Sequence, residues 1–292
     1  MERARHHINI YHNYKSELQE KFCDINFVSL EKTNEGMYIT NPENKNTDND
    51  SRIFKETQVK RTLRSRISVL VPQAVKNKLS YFYQEEDKDQ SKIYKHDDIQ
   101  ILQSEEEYAI QNIGHATLLI QIPGFNILTD PVYFDLSKVF YPARTASHKS
   151  IQELPQIDVI VISHNHRDHV DEHSLEEILR YHQQKRWFEP KVFVPKGDKK
   201  LLQRFGFSHV EEVEWYTKIS VTNEMEKTVN FVSIPADHRS GRYGFDNHES
   251  LVTGWVINPQ QEDVIFKYSG DTRALSNKTQ QATDAVLWNE IK

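Results

Sequence analysis

The sequence predicts a layered α/β domain, and two observations favour that fold class. Short apolar runs separated by turn residues begin near Tyr108, and such runs are typical of β-strands. Only a few stretches with a helical spacing of apolar residues lie between them. Strands that alternate with a few helices favour stacked layers of sheet and helix.

The predicted strands and helices follow one another along residues 106–292, which we expect to form the main domain. Residues 116–122 and 125–128, joined at Pro123-Gly124, form a predicted hairpin. Residues 157–162 are a continuous apolar run, as expected for a strand covered on both faces. A helix is predicted at 174–184, with Ser174 as its N-cap. A second helix is expected near 198–205, and further strands are expected at 191–194, 229–234, 251–257, 264–268 and 284–287.

Residues 1–105 are predicted to be an N-terminal extension that is partly disordered or helical. The stretches 40–51 and 84–98 are polar or of mixed charge, which indicates loops or linkers. Residues 67–83 carry apolar side chains at helical spacing, interrupted near Pro72. We expect this helix to pack against the main domain, with contact to a membrane surface as the alternative.

Composition limits the classes of function. The chain of 292 residues has no run of about 18 apolar residues, which argues against a membrane-spanning helix, and no signal-peptide pattern at its start. Its net charge of -6 argues against a nucleic-acid partner. The single cysteine, Cys23, excludes an intramolecular disulfide and a thiolate metal cluster. We therefore expect a cytoplasmic protein, and its oligomeric state stays open.

A dense group of potential metal ligands follows the predicted strand at 157–162. His164, His166, Asp168 and His169 lie within six residues. Neutral imidazoles and carboxylates suit zinc or a similar divalent ion. On a short loop such ligands can point toward two neighbouring sites, so His164 and His166 could hold one ion while Asp168 and His169 face a second.

Two later strands end in the same way. The run at 229–234 is followed by Pro235-Ala236-Asp237-His238, and the run at 264–268 by Ser269-Gly270-Asp271-Thr272. Alone, His238 or Asp271 would more often be a turn or capping residue. Because they follow the histidine cluster in this order, we interpret His238 as a third imidazole ligand and Asp271 as a carboxylate that could bridge two ions.

Residues 112–272 resemble the metallo-β-lactamase superfamily, and within it the branch that contains N-acyl-phosphatidylethanolamine-hydrolysing phospholipase D. The matching motifs, in chain order, are Gly114-His115-Ala116-Thr117, Leu128-Thr129-Asp130-Pro131, Glu153-Leu154-Pro155-Gln156-Ile157-Asp158, Ser163-His164-Asn165-His166-Arg167-Asp168-His169, Pro235-Ala236-Asp237-His238 and Ser269-Gly270-Asp271-Thr272. The resemblance implies an αββα sandwich with a metal site along one edge.

The resemblance also implies a site for two zinc ions. His164, His166 and His238 would bind the first ion, Asp168 and His169 the second, and Asp271 would bridge them. Asp130 and His115 would support the ligand loops from outside the coordination sphere. The family places further active-site histidines after the Gly-Asp pair, but no histidine follows Asp271 here. Either the second ion is weak, short of a ligand or completed by water, or the domain lacks its C-terminal part.

The activity implied by the resemblance is zinc-dependent hydrolysis of a phosphodiester, with a phospholipid as substrate and peripheral membrane contact. A metal-bound hydroxide would attack phosphorus, and Asp168 would act catalytically by orienting it or moving its proton. Arg239 and Arg242 could bind the phosphate, or simply lie in a solvated loop. The alternatives are a lactonase, a sugar-phosphate hydrolase, or a catalytically impaired lipid-binding or interaction protein of the same fold.

Overall fold

The computed structural model describes residues 7–13, 108–134, 150–223, 226–242, 246, 249–260, 265–275 and 277–291. The predicted loops at 40–51 and 84–98 and the predicted helix at 67–83 lie outside the described residues. In chain order the elements are β1 (His7–Asn13), β2 (Ala109–Gly114), β3 (Thr117–Ile122), β4 (Phe125–Thr129), a short 3-10 helix (Ile151–Glu153), β5 (Val159–Val161), α1 (Glu172–Lys185), β6 (Lys191–Pro195), α2 (Lys199–Arg204), β7 (Val210–Val213), β8 (Thr217–Thr222), β9 (Thr228–Pro235), β10 (Thr253–Pro259), β11 (Phe266–Tyr268) and α3 (Asn277–Ile291).

The first sheet, called sheet one, contains six strands within the described residues, in the order β2-β3-β4-β5-β6-β7. Its first three strands form an antiparallel meander, and β4 to β7 run parallel. Parallel neighbours need a crossover connection, which α1 supplies between β5 and β6 and α2 supplies between β6 and β7. The carboxyl ends of β4 and β5 therefore lie side by side at one edge of the sandwich.

The second sheet, called sheet two, contains five strands in the part of the chain that the structure describes, in the order β1-β8-β9-β10-β11. All of its pairings are antiparallel. As a result, β9 and β11 run in the same direction on either side of β10 and end at the same edge. Thr253 at the start of β10 donates its backbone N–H to the Ser163 carbonyl, at 2.9 Å, which ties this edge to the loop after β5.

The two sheets pack face to face around an apolar core. Val159 and Val161 of β5, with Phe193 of β6, meet Phe231 and Trp255 of sheet two in one buried cluster. Side chains alternate between the faces of a strand, so the intervening Ile160 points the other way, toward the helices. The apolar run at 157–162 is continuous because both faces of β5 are covered.

Helices cover the outer faces of both sheets. Leu175 and Ile178 of α1 are fully buried against sheet one, and each such side chain contributes roughly 2 kcal/mol by leaving water. On the far side, Ala282 and Val286 of α3 pack against Val232 of sheet two. The order of layers is helix, sheet, sheet, helix, so the predicted αββα sandwich is confirmed.

Most of the predicted elements are present with shifted ends. The hairpin at 116–128 is confirmed as β3 and β4, and the predicted helix at 174–184 is confirmed as α1. Its expected cap is wrong, however. The N-cap is Asp171, whose carboxylate accepts the Ser174 backbone N–H at 2.9 Å, while the Ser174 hydroxyl accepts the backbone N–H of Tyr133.

The prediction of a strand at 284–287 is wrong, because these residues lie inside α3. The buried residues Ala282, Ala285 and Val286 recur at helical spacing and face sheet two. A run of a few apolar residues does not separate a strand from one face of a helix. No helix in the described part of the chain combines the length and the apolar character that crossing a bilayer demands.

The strand β1 comes from the segment predicted to be an N-terminal extension. Residues 7–13 pair with β8 in an antiparallel register, with a bulge between Asn9 and Tyr11. This segment therefore adds an edge strand to sheet two. The division of the chain at residue 105 stays a prediction.

Candidate metal centre

Three loops meet where strands of the two sheets end. Residues 164–169 follow β5, His238 follows β9 and Asp271 follows β11. The loops approach closely at Gly270, where an added Cβ atom would lie 2.5 Å from the Ser163 Cβ atom. Gly270 also has a φ of +55°, so both the close approach and the backbone conformation require glycine.

The first group of donor atoms, called the imidazole set, consists of His164, His166 and His238. The His166 Nδ1 atom lies 2.9 Å from the His164 Nε2 atom and 3.3 Å from the His238 Nε2 atom. All three donor atoms lie within 4.8 Å of one another. The structure therefore brings together the three histidines that the sequence assigned to the first ion.

The second group, called the mixed set, consists of Asp168, His169 and Asp271. The His169 Nε2 atom lies 3.5 Å from the Asp168 Oδ2 atom and 3.4 Å from the Asp271 Oδ2 atom. Asp271 also reaches the imidazole set, since its Oδ2 atom is 3.7 Å from the His238 Nε2 atom. It therefore stands between the two sets, in the position expected for a bridging carboxylate.

Asp130 lies beneath the ligands as a fully buried hydrogen-bond acceptor. Its Oδ1 atom accepts the Ser163 backbone N–H at 2.7 Å, and its Oδ2 atom accepts the hydroxyls of Ser163 and Tyr268. The His169 Nδ1 atom contacts the same oxygen at 2.7 Å. Asp130 also lies within ligand distance of His164 and His169, but these contacts occupy both of its oxygens. We therefore assign it the predicted supporting role.

The same network fixes which ring nitrogens face the cluster. Because Asp130 accepts from the Nδ1 atom of His169, the Nε2 atom of that ring faces the cluster, and it carries the lone pair when the ring is neutral. The Ser163 hydroxyl gives its proton to Asp130 and lies 2.9 Å from the His164 Nδ1 atom, so it accepts from that nitrogen. The Nε2 atom of His164 is then also free of a proton and points at His166.

Burial and charge divide the histidines into two electrostatic classes. Burial lowers the pKa of His166 to about 4, with help from the neighbouring His238, and burial also lowers the pKa of His238. Both rings are therefore neutral at pH 7, as metal binding requires. For His169, burial acts to lower the pKa, but contacts with Asp130 and Asp271 outweigh it and raise the pKa to about 10. Positive charge is thus favoured between the carboxylates of the mixed set.

The donor atoms fit divalent metal ions. Ligands about 2.1 Å from a tetrahedral zinc ion lie roughly 3.4 Å from one another. Three of the contacts within the two sets measure 3.3, 3.4 and 3.5 Å, and the contact between His164 and His166 is shorter, at 2.9 Å. In addition, the Nε2 atom of His169 is completely buried and has no hydrogen bond of good geometry. A buried nitrogen without a partner is costly, and a cation between Asp168 and Asp271 would satisfy it.

Comparison with known proteins identifies the family. Residues 125–288, more than half of the chain, match the family described as "Beta-lactamase superfamily domain". The chain belongs to the metallo-β-lactamase superfamily. The match includes both the imidazole set and the mixed set.

Individual relatives are similar over part of their length. N-acyl-phosphatidylethanolamine-hydrolyzing phospholipase D 1 of Caenorhabditis elegans is 30% identical over 169 residues, which are 55% of this chain and 45% of that protein. The mitochondrial N-acyl-phosphatidylethanolamine-hydrolyzing phospholipase D of Saccharomyces cerevisiae is 35% identical over 152 residues, 51% of this chain and 31% of that protein. The crystal structure of CmlA, a diiron β-hydroxylase from Streptomyces venezuelae, has a TM-score of 0.44 at 23% identity and covers 63% of this chain and 33% of that one. The chain spans less than half the length of these proteins.

The superfamily ligand loop is braced from behind by residues that the sequence did not single out. Asn165 turns into the protein, where its amide donates to the Asp198 carboxylate at 2.9 Å and to the Ser250 hydroxyl at 3.0 Å. The Gly241 backbone N–H donates to the Asn165 side-chain oxygen at 2.7 Å. Because Asn165 lies between His164 and His166, these bonds hold both ligands in place.

Burial raises the pKa of Asp198 to about 8, which predicts a pH-dependent contribution to stability. The folded chain keeps a proton on Asp198 that the unfolded chain loses near pH 4. The contribution of Asp198 to the free energy of unfolding therefore falls as the pH rises from about 4 to about 8. Asp198→Asn is therefore expected to gain stability relative to the wild type across that range. Urea unfolding at about pH 5 and about pH 8 would measure the difference, and an equal difference at both pH values would contradict the prediction.

Arg239 and Arg242, both predicted to bind substrate phosphate, lie in different environments. Arg239 is exposed beside His238. Arg242 is only 9% exposed, and its Nη1 atom donates to the carbonyls of Val170 and Asn165 at 2.6 and 3.5 Å. These contacts let Arg242 brace the loop at residues 164–169, and its predicted phosphate contact stays a proposal. Arg239 keeps the predicted role as a proposal.

Matched substitutions separate the two arginines. Arg242→Gln is expected to lower the free energy of unfolding by about 1–3 kcal/mol, because two buried carbonyls lose a charged donor. Arg239→Gln is expected to change it by no more than about 0.5 kcal/mol, as is usual for an exposed residue. Urea unfolding measures both. If Arg242→Gln is as stable as Arg239→Gln and only weakens the binding of an anionic substrate, the bracing role is wrong.

Proposed function

We propose that this chain is a zinc-dependent phosphodiesterase that hydrolyses an N-acyl-phosphatidylethanolamine or a closely similar phospholipid. The observation that carries the proposal is the convergence of the imidazole set and the mixed set, joined by Asp271, at spacings that suit two divalent ions. The two relatives named as N-acyl-phosphatidylethanolamine-hydrolyzing phospholipases support this choice of substrate.

Each residue contributes a distinct part of the reaction. Divalent ions held by the two sets would act as Lewis acids and lower the pKa of water to about 7. The neutral imidazoles of His164, His166 and His238 hold one ion without neutralising its charge. Asp168, 6% exposed at its side chain, would orient the attacking water and take up one of its protons. The exposed guanidinium of Arg239 binds a non-bridging phosphoryl oxygen.

Hydrolysis of this substrate breaks the bond between phosphorus and the ethanolamine oxygen. The attacking water supplies the new oxygen on phosphorus, and its protons leave on the two products, which are phosphatidic acid and an N-acylethanolamine. A substrate of this class lies in a lipid surface, so the proposal includes peripheral contact with a membrane by a cytoplasmic protein.

The direct test uses the full chain with zinc and mixed micelles of N-acyl-phosphatidylethanolamine. We expect release of phosphatidic acid, and loss of that release in His164→Ala, which removes a donor of the imidazole set. His209→Ala is a matched control, because His209 is exposed on the loop before β7. If the wild type releases no more phosphatidic acid than His164→Ala, the substrate assignment is wrong.

Two rival activities use the same groups. A lactonase or a sugar-phosphate hydrolase would place the same attacking water against a carbonyl carbon or a phosphomonoester, so lactones and phosphorylated sugars belong in the same assay. A catalytically impaired scaffold would bind well under one equivalent of metal, whereas the proposed enzyme binds about two. Histidine and carboxylate donors also suit iron, so the metal analysis must measure iron as well as zinc.

A further inference from the structure

We propose that His115 is a ligand of the second metal ion, completing a donor set of two imidazoles and two carboxylates with Asp168, His169 and Asp271. The inference rests on the proposed function, because it assumes that the site holds metal. It changes the role given to His115 by the sequence, which was support from outside the coordination sphere. The substrate can differ from the one proposed without affecting it.

The donor atom of His115 lies at ligand distance from the mixed set. The His115 Nε2 atom lies 3.4 Å from the Asp168 Oδ2 atom, and the next two separations, Asp168 to His169 and His169 to Asp271, are 3.5 and 3.4 Å. All three match the roughly 3.4 Å edge of a tetrahedron of zinc ligands. The donor atoms of His115, Asp168 and His169 lie within 4.8 Å of one another, so one ion can reach all three.

The backbone at His115 has an uncommon conformation. This residue and Ala116 form the two-residue turn between β2 and β3, and His115 has a φ of +48°. Glycine adopts this left-handed conformation readily, whereas a positive φ is uncommon for any other residue. A residue held in an unfavourable conformation at a cluster of donor atoms points to a role for its side chain.

Hydrogen bonds hold the turn at His115 and Ala116 in place. The Thr117 hydroxyl donates to the Asp130 carbonyl at 2.8 Å, and the Thr129 hydroxyl donates to the Ala116 carbonyl at 2.8 Å. The Tyr268 hydroxyl also contacts that carbonyl. The turn is thus fixed to the loop after β4 and to the end of β11, which place His169 and Asp271. His115 is therefore held over the mixed set and needs no loop closure to reach it.

The decisive comparison is between His115→Asn and His209→Asn in the full chain. Asparagine tolerates a positive φ, so His115→Asn removes the imidazole while keeping the turn. We expect the wild type and His209→Asn to retain two equivalents of zinc after dialysis. His115→Asn should retain one, and its second ion should bind at least about 100-fold more weakly in a chelator competition, as for loss of a metal contact.

A ligand exchange gives a positive signature that does not depend on activity. Cys23 is the chain's only cysteine. The absorption spectrum of the wild type loaded with Co²⁺ therefore serves as the background spectrum for a newly introduced thiolate. His115→Cys should add an intense near-ultraviolet band from sulfur-to-cobalt charge transfer, because a thiolate at this position would bind the ion directly.

The outcomes separate the two proposals. Two equivalents in His115→Asn with unchanged affinity would overturn the role of His115 and leave the proposed function standing, whereas a new band in His115→Cys would support that role. A wild type that holds a single ion would also overturn it. A wild type that holds no ion would overturn both proposals together.

Discussion

Replacing Asp130 with alanine is expected to lower the free energy of unfolding by about 3–5 kcal/mol, measured on the metal-free chain in urea. This fully buried carboxylate accepts from the Ser163 backbone and hydroxyl, the Tyr268 hydroxyl and the His169 ring. Its removal leaves several buried donors without an acceptor, and breaking a buried charged network carries a penalty of this size.

The matched control is Asp171→Ala, which also removes a hydrogen-bonded carboxylate. Asp171 caps α1 through the backbone N–H of Ser174, and loss of an N-cap costs about 1 kcal/mol. An effect of Asp130→Ala no larger than that of Asp171→Ala would show that Asp130 does not organise the site.

Asp168→Asn should reduce kcat/KM for the hydrolysed substrate by about 10³-fold or more. The amide keeps the size of the side chain but cannot take a proton from the attacking water, and general-base catalysis is worth about 10²–10⁴-fold. Asp168 is also a donor of the mixed set, so its neutralisation weakens the second ion. Steady-state kinetics with saturating zinc measure the effect.

Asp237→Asn makes the same chemical change at a neighbouring residue. Asp237 precedes His238 on the same loop but belongs to neither donor set. It should retain kcat/KM within about threefold, because an exchange away from reacting groups rarely costs more than about 0.5 kcal/mol. If kcat/KM falls by a comparable factor in both variants, the net negative charge near the site is what matters, and Asp168 has no specific role.

The convergence of the predicted ligand residues could be expected from the sequence because each of them closely follows an apolar run. Residues 164–169, His238 and Asp271 come just after β5, β9 and β11, so periodicity found the strands and side-chain type found the ligands. Strand ends at one edge of a layered domain meet in space. The convergence of these three loops was therefore predictable without any knowledge of individual distances.

The residues that support the ligands were harder to predict because their partners are distant in sequence. Tyr268 donates to Asp130 across 138 positions, and Arg242 donates to Val170 across 72. Neither residue has a local pattern that distinguishes it from an ordinary core or loop residue. Tyr268 carries one usable signal, since it comes two residues before the Gly270-Asp271 pair.

The strands β7 and β8 show what periodicity could still have found. In β8, buried and partly buried residues alternate over all six positions, which is the pattern of a half-covered strand. Neither strand was predicted, because their threonines, lysine and glutamates make the runs weakly apolar. The error at α3 has the opposite cause, a short apolar run taken as a strand.

The ligands come from opposite halves of the sandwich, since sheet one supplies residues 164–169 while sheet two supplies His238 and Asp271. An ion bound by residues of both sheets would be a cross-link that exists only in the native fold. It would raise the free energy of unfolding by about 4 kcal/mol when the free metal concentration is a thousand times the Kd. Removal of the ion by a chelator would therefore destabilise this edge of the sandwich. The amide protons of β5, β9 and β11 would then exchange with solvent faster, while the opposite edge of the sandwich keeps its packing.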